Sequence, residues 1–150
     1  MDHDVYKSCL DFKRKYPSTI AWRIKKHANV IQSYLDDDEV VLYSFVGQKN
    51  THFYEIFFTT AIVLTNKRML LGRKRFIGEY YAAITPDMLN DFEIKKNLLW
   101  GSVEIDTIKE NFVISNLAKK ALPEIEDAIS KYLVDEKMKC LKPSNKKIWI

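Results

Sequence analysis

Hydrophobic positions along the chain change their period near residue 38. Before that point, apolar residues recur every three or four positions, which is typical of one face of an amphipathic helix: Ile20, Ile24, Ala28, Ile31 and Leu35. A weaker segment with similar spacing precedes Pro17, and Ser18 or Thr19 is expected to cap the helix that follows. The sequence therefore predicts a helical N-terminal extension over residues 1–37.

Residues 38–133 show strand periodicity followed by one helix. Unbroken β-branched and aromatic runs predict strands covered on both faces, and alternating runs predict strands with one face in water. The predicted strands cover residues 40–46, 57–65, 69–71, 76–84, 91–95, 102–106 and 112–114. Asn66 is expected to form a tight turn in the left-handed conformation, and Gly72 with residues 73–75 is predicted to form the next turn.

A broad apolar stripe predicts a C-terminal helix through Leu133, with Pro123 in its first turn after a separate short turn. The last segment, residues 134–150, is rich in lysine and is predicted to be a basic tail. The chain is thus divided into residues 1–37, 38–133 and 134–150.

Seven antiparallel strands followed by one helix is the order of a pleckstrin-homology (PH) fold. The stretch IVLTNKRMLLG at residues 62–72, the stretch from Ile84 to Ile105 and FVISNL at 112–117 are similar to motifs of bacterial PH-like domains. The chain resembles the YokE-like branch, which occurs in Firmicutes and their phages. Asn97 stands where that family usually has glycine, and is expected to adopt the left-handed conformation.

The resemblance implies an α+β fold: a PH-like barrel of seven antiparallel strands, capped by the C-terminal α-helix and preceded by the helical extension. It also implies a non-catalytic binding module. The residues agree with that implication, since the three histidines, His3, His27 and His52, lack metal-ligand spacing and no nucleophile motif is present. We therefore expect no enzyme activity, no cofactor and no metal, and we expect His27 to be solvated or half-buried.

The composition predicts the cellular compartment of the protein but indicates little about its partner. The net charge is a mild +4, and only two cysteines occur, so a reducing cytoplasm is expected. No signal peptide or membrane helix is apparent. Basic residues in the N-terminal helices lack a recognition-helix arrangement, so nucleic acid is an unlikely partner, and packing of these helices on the barrel or on another copy is expected.

Two surfaces are candidates for binding. In the predicted barrel, the loops after strands one, three and six meet at one mouth and bring together Lys49, Arg73, Lys74, Arg75 and Lys109. This basic mouth suits an anionic ligand or a peripheral membrane contact, although a solvated basic turn explains the same residues.

Aromatic residues form the second candidate, a tentative interaction surface: Phe53, Tyr54, Tyr80, Tyr81 and Trp22. Exposed aromatic side chains suit a protein partner or self-association into a homo-oligomer, although core packing also explains them. The favoured prediction is a protein-interaction module, as in a phage or prophage accessory protein. The alternative is a membrane or anionic-ligand binder that uses Arg73–Arg75.

Overall fold

The fold was analysed in a computed structural model that describes residues 3–49 and 58–148, with side chains as far as residue 136. Within these residues, three α-helices and seven strands follow one another along the chain. The helices are α1 (Val5–Lys15), α2 (Ile24–Tyr34) and α3 (Leu122–Ile148). The strands are β1 (Val41–Lys49), β2 (Thr59–Thr65), β3 (Met69–Lys74), β4 (Glu79–Ile84), β5 (Leu89–Lys96), β6 (Gly101–Thr107) and β7 (Asn111–Leu117).

The strands form one antiparallel sheet in the order β4-β3-β2-β1-β7-β6-β5. Strand β1 joins the two halves: it pairs with β2 along most of its length, but among the described residues it pairs with β7 only at Gln48 and Lys49. The sheet therefore curls into a half-barrel that is open along the start of β1. The predicted arrangement of seven antiparallel strands between N-terminal helices and a C-terminal helix is confirmed.

Helices α1 and α2 cover the outer face of the β1–β4 half. Every residue of β2 is buried, which requires cover on both faces of that strand. Helix α2 packs tightly on β3 at Gly72, because an added Cβ there would lie 2.6 Å from Cγ1 of Ile31 in α2. The two helices share one apolar core with the barrel, so the expected packing of the N-terminal helices on the barrel is found.

The connection between α1 and α2 is hydrogen-bonded to the barrel. Thr19 is almost completely buried, and its Oγ1 accepts a hydrogen bond from the N–H of Ala118 at 2.9 Å. The N–H of Ile20 donates to the carbonyl of Asn116, and that of Trp22 to Oγ1 of Thr59. The predicted capping of α2 by Ser18 or Thr19 is therefore wrong, because the Thr19 hydroxyl binds the barrel and the helix begins only at Ile24.

Helix α3 buries its apolar stripe in the open side of the half-barrel. The buried residues of its first three turns are Leu122, Ile125, Ile129 and Tyr132. Glu124 links this helix to the rest, because its carboxylate accepts hydrogen bonds from Lys15 and from the hydroxyl of Tyr43. Pro123 lies in the first turn after a short 3-10 turn, as predicted. The helix continues to Ile148, through most of the predicted basic tail.

Several turns differ from the sequence predictions. Strand β3 continues through Arg73 to Lys74, which pairs with Glu79, so the turn falls at residues 75–78. Phe76 and the next residue are thus the tip of this turn, not the start of a strand. Among the described non-glycine residues only Arg23 and Asn116 have positive φ.

Asn97 and Asn66 therefore do not adopt the predicted left-handed conformation. Oδ1 of Asn97 instead accepts hydrogen bonds from the N–H groups of residues 99 and 100, and Oδ1 of Asn66 accepts one from Val40. Such contacts between a short polar side chain and the nearby backbone hold a turn without any left-handed residue. The two-residue turn predicted between β2 and β3 is present, closed by the N–H of Thr65 and the carbonyl of Arg68.

Candidate functional site

An open cleft of about 680 Å³ lies between the start of α2, the start of β2 and the β3–β4 turn. We call it the basic cleft. Its lining residues are Trp22, Arg23, Lys26, His27, Phe58, Thr59, Arg73, Lys74, Arg75, Phe76 and Ile77. None of these described lining side chains is acidic, and five are basic. Because basic side chains are gathered here without a carboxylate among the described lining residues, the cleft favours an anion.

The helix supplies the first part of this charge. Arg23 precedes α2 in the left-handed conformation, with φ of 51°, and Lys26 follows three residues later on the same side of the helix. A left-handed backbone costs a non-glycine residue roughly 1–2 kcal/mol. Strain of this kind is often found at functional sites. Here it turns the chain into α2 at the edge of the cleft.

The strand supplies the second part, in which Arg73 is held by aromatic rings. Arg73 is largely buried, and its guanidinium carbon lies 4.5 Å from the ring centre of Phe58 and 5.9 Å from that of Tyr80. Lys49 and Arg75 also lie over the Tyr80 ring, at 4.9 and 5.7 Å. Burial raises the pKa of Tyr80 to about 12. The Tyr80 ring is therefore neutral, and it makes cation–π contacts with three basic side chains.

His27 joins the helix to the strand at the bottom of the basic cleft. Only 6% of it is exposed, so the expectation of a solvated or half-buried histidine is wrong. Its Nδ1 accepts a hydrogen bond of 2.9 Å from the backbone N–H of Lys74. Burial, followed by the charges of Lys26, Arg73 and Arg23, lowers the pKa of His27 to about 4. The imidazole is neutral at pH 7, with its proton on Nε2.

Exposed apolar side chains surround the cleft. Phe76 and Ile77, at the tip of the β3–β4 turn, are 102% and 84% exposed, and Gly78 closes that turn with φ of 75°. Trp22 and Phe58 are about half exposed on the opposite side. Apolar side chains that project this far from a fold gain nothing from water, which is typical of a surface that contacts a partner or a membrane.

The structure brings together part of the predicted basic mouth. Lys49, Arg73 and Arg75 share the ring of Tyr80, and Lys74 lines the cleft. Lys109 does not line it; it is an exposed residue of the β6–β7 turn, next to Glu110.

The predicted aromatic surface is divided. Trp22 lines the basic cleft, whereas Tyr81 stacks on Tyr34 with ring centres 3.9 Å apart. Tyr80 is the platform for the three cations. Phe53 and Tyr54 lie outside the described residues. Of the predicted aromatic residues, only Trp22 is among the described residues that line the cleft; its other aromatic lining residues are Phe58 and Phe76.

Residues 35–131 match the family of bacterial PH domains. The chain belongs to this family. Among solved structures it is similar to a DUF1696 family protein with a pleckstrin-homology domain from Shewanella loihica PV-4, at 14% identity and a TM-score of 0.48, covering 71% of this chain and 92% of that one. A pleckstrin homology domain from Shewanella amazonensis SB2B gives 16% identity and a TM-score of 0.48, with 71% and 95% covered. No match was found among curated proteins.

Four of the eleven described lining residues of the basic cleft lie outside the part of this bacterial PH domain that matches the family. Arg23, Lys26 and His27 precede residue 35, whereas the strand residues from Arg73 onward lie within the match. Sequence reasoning did not place these three residues in the site. The available signal was their i, i+3, i+4 spacing, which puts them on one side of a helix. The spacing within the helix does not indicate that this side of α2 lies next to the basic residues of β3.

Among the described helices of this PH domain, none combines the length and apolar composition that crossing a membrane requires. Nor do histidine, cysteine, aspartate and glutamate side chains gather into a metal-binding group within the part of the chain that the structure describes.

Proposed function

We propose that this bacterial PH domain is a non-catalytic binding module that docks on an anionic membrane surface through the basic cleft and the β3–β4 turn. The observation that supports it most is the position of Phe76 and Ile77, which project fully from the fold directly after the bases Lys74 and Arg75. A protruding apolar pair beside cations matches the layering of a membrane, where phosphates lie above the acyl chains.

The magnitudes favour stable but reversible docking. Each base near an anionic surface contributes about 1 kcal/mol, and burial of one large apolar side chain contributes about 1.5–3 kcal/mol. The five cations of the cleft alone give marginal attachment. The apolar pair adds a second, independent contribution, and a combination of two signals is what durable peripheral attachment requires.

The second candidate function is binding of a protein partner. This is the function that the sequence favoured, a protein-interaction or self-associating module in the cytoplasm. Trp22 and Phe58 support it, because half-exposed aromatic residues at the edge of a cleft are common anchors at protein interfaces. Assignment to the YokE-like branch and an origin in Firmicutes or a phage likewise remain predictions from sequence.

Vesicle sedimentation with matched charge variants tests the membrane proposal. Lys26→Glu with Arg75→Glu reverses two cations of the cleft, and Lys96→Glu with Lys120→Glu reverses two exposed cations of β5 and the turn before α3. Both doubles change the net charge equally. We expect the first double to lose at least tenfold in affinity for vesicles with anionic lipid, since it removes several kcal/mol of attraction, and the second to lose far less.

Phe76→Ser with Ile77→Ser tests the apolar part. We expect it to weaken vesicle binding by at least tenfold with unchanged stability, because both side chains are already in water in the free protein. Equal losses in the two charge doubles would reduce the interaction to nonspecific attraction and contradict the proposal. Absence of binding to anionic vesicles would favour the protein partner, which cross-linking from a native lysate would then identify.

A further inference from the structure

Strand β5 is one of the two edges of the sheet. Among the residues that the structure describes it pairs only with β6, in a regular antiparallel register from Asp91 to Lys96. The N–H of Asn97 and the carbonyl of Trp100 close the turn between the two strands. Hydrogen-bonded and non-hydrogen-bonded pairs alternate from that turn onward. The backbone N–H and C=O groups of three residues therefore point away from β6, towards the free side of the edge: Phe92, Ile94 and Lys96.

Apolar side chains accompany these backbone groups. Phe92 and Ile94 pack against the core on the inner face of the sheet, yet both are only half-buried at the edge. The N–H of Phe92 donates a hydrogen bond of 2.8 Å to Oδ1 of Asp91, its own neighbour in the strand, which agrees with its position on the free side. An edge that offers backbone groups beside half-buried apolar side chains is suited to take up an extended segment of another chain.

The outer face of β5 and β6 determines which charge that segment needs. Two pairs of carboxylates lie directly opposite each other across these strands, Asp91 with Asp106 and Glu93 with Glu104. Like charges in such positions destabilise a sheet. Lys95 compensates one of them, through a contact of 3.1 Å with Glu104. The four carboxylates belong to a shallow groove of about 230 Å³, and its described lining includes no base; the other lining residues are Phe92 and Asn111.

We propose that the free edge of β5 binds an extended segment of a partner protein in which apolar and basic residues alternate. The segment adds a further strand antiparallel to β5. Successive side chains of a strand point to opposite faces, so its apolar side chains lie beside Phe92 and Ile94 on the inner face. Its lysine or arginine side chains lie beside Asp91 and Glu93 on the outer face. There they offset the repulsion within the two carboxylate pairs.

This site is separate from the basic cleft and does not depend on the proposed membrane docking. The described lining residues of the two sites have no member in common. In the sheet order, β5 is at one end and β4, which follows the turn of the cleft, is at the other. Anionic lipid and nucleic acid are both repelled by the carboxylates of the β5–β6 face, so the charge favours a basic protein segment.

Isothermal titration calorimetry with synthetic peptides of about eight residues, the length of a typical strand, tests the proposal. The probe alternates lysine and valine. A block peptide of the same composition carries all its lysines at one end, and we expect it to bind at least tenfold more weakly because it cannot place its charges on one face. In an antiparallel pair, the N–H groups of the valines face β5. N-methylation of the valine nitrogens should therefore abolish binding, whereas N-methylation of the lysine nitrogens, the matched control, should preserve it.

Two charge variants of the protein locate the binding site. Asp91→Asn with Glu93→Gln should weaken binding of the probe about tenfold, since each exposed ion pair contributes a few-fold in affinity. Asp11→Asn with Asp37→Asn removes the same number of charges from exposed positions of α1 and of the connection between α2 and β1. This control double should bind the probe like the unmodified protein.

Hydrogen exchange identifies the strand that takes up the peptide. Exchange of the N–H groups of Ile94 and Lys96 should slow at least tenfold when the probe is bound, because both groups face the free side of β5. Protection of the other edge strand, β4, with none in β5 would overturn the proposal. Protection of Ile94 and Lys96 that increases with protein concentration without any peptide would assign the edge to a second copy of the chain and overturn the partner segment.

The peptide comparisons provide the remaining outcomes. Equal affinity for the alternating and the block peptide would reduce the interaction to attraction between charges and contradict the proposal. Equal affinity for the two N-methylated peptides would contradict strand addition. Vesicle sedimentation of the Asp91→Asn with Glu93→Gln double gives a separate readout of the basic cleft, so either proposal can fail while the other stands.

Discussion

His27 of α2 and Lys74 of β3 are joined by a hydrogen bond of 2.9 Å between the imidazole Nδ1 and the backbone N–H. The pairing requires a neutral ring, because a protonated imidazole has no acceptor. The contact thus links the packing of the N-terminal helix on the sheet to the protonation state of one residue in the basic cleft.

Stability should therefore decrease in mild acid. The pKa of His27 is about 4 in the folded protein, against an ordinary value near 6.5. Between those values the unfolded chain binds a proton that the folded one does not, so the free energy of unfolding falls as the pH drops from about 6.5 towards 4. We expect the free energy of unfolding, measured with urea, to fall between pH 6.5 and pH 5 in both proteins. The fall should be about 1–2 kcal/mol larger in the unmodified protein than in His27→Asn. Identical pH profiles for the two proteins would contradict this.

Arg23→Gly should stabilise the fold while weakening membrane binding. Arg23 has φ of 51°, which glycine adopts without strain, so the variant should gain roughly 0.5–1 kcal/mol in chemical unfolding. It also removes one cation from the basic cleft, and vesicle affinity should fall about fivefold. Arg23→Ala is the matched control, because it removes the same charge but leaves the strain of the left-handed backbone in place.

Thr19→Val should destabilise the connection between α1 and α2. The valine has the same shape, but it leaves the buried N–H of Ala118 without its partner, at a cost of about 1–3 kcal/mol. Thr19→Ser retains the hydroxyl and is the matched control. Chemical unfolding of the three proteins checks this, and a valine variant as stable as the serine one would show that the hydrogen bond contributes little.

Gly72→Ala should separate α2 from β3. The new Cβ would lie 2.6 Å from Cγ1 of Ile31, so the helix must shift, at a cost of about 1–3 kcal/mol. In the double variant with Ile31→Ala the clash is removed, and the two losses should therefore be less than additive. Additive losses in thermal or urea unfolding would mean that the contact between these two residues does not limit the approach of the helix.

The sequence by itself determined the elements and their order. Period-2 and period-3.6 patterns are local, because they report only which side of a strand or helix faces an apolar environment. This was sufficient for seven strands between helices, for the position of Pro123 in the first turn of α3 and for the two-residue turn between β2 and β3. It was insufficient for the exact turn residues, because Lys74 remains in its strand through pairing with Glu79 and not through its own propensity.

Only the tertiary structure decided where the candidate site lies. Lys49, Arg73 and Arg75 were expected together and do share one aromatic ring, but Arg23, Lys26 and His27 come from a helix some 50 residues earlier in the chain. Which face of α2 meets which strand depends on a close approach at Gly72 and on the Thr19 hydrogen bond to Ala118. Contacts between distant segments leave no periodic signal in either one, so the sequence indicates the charges and the fold brings them into one cleft.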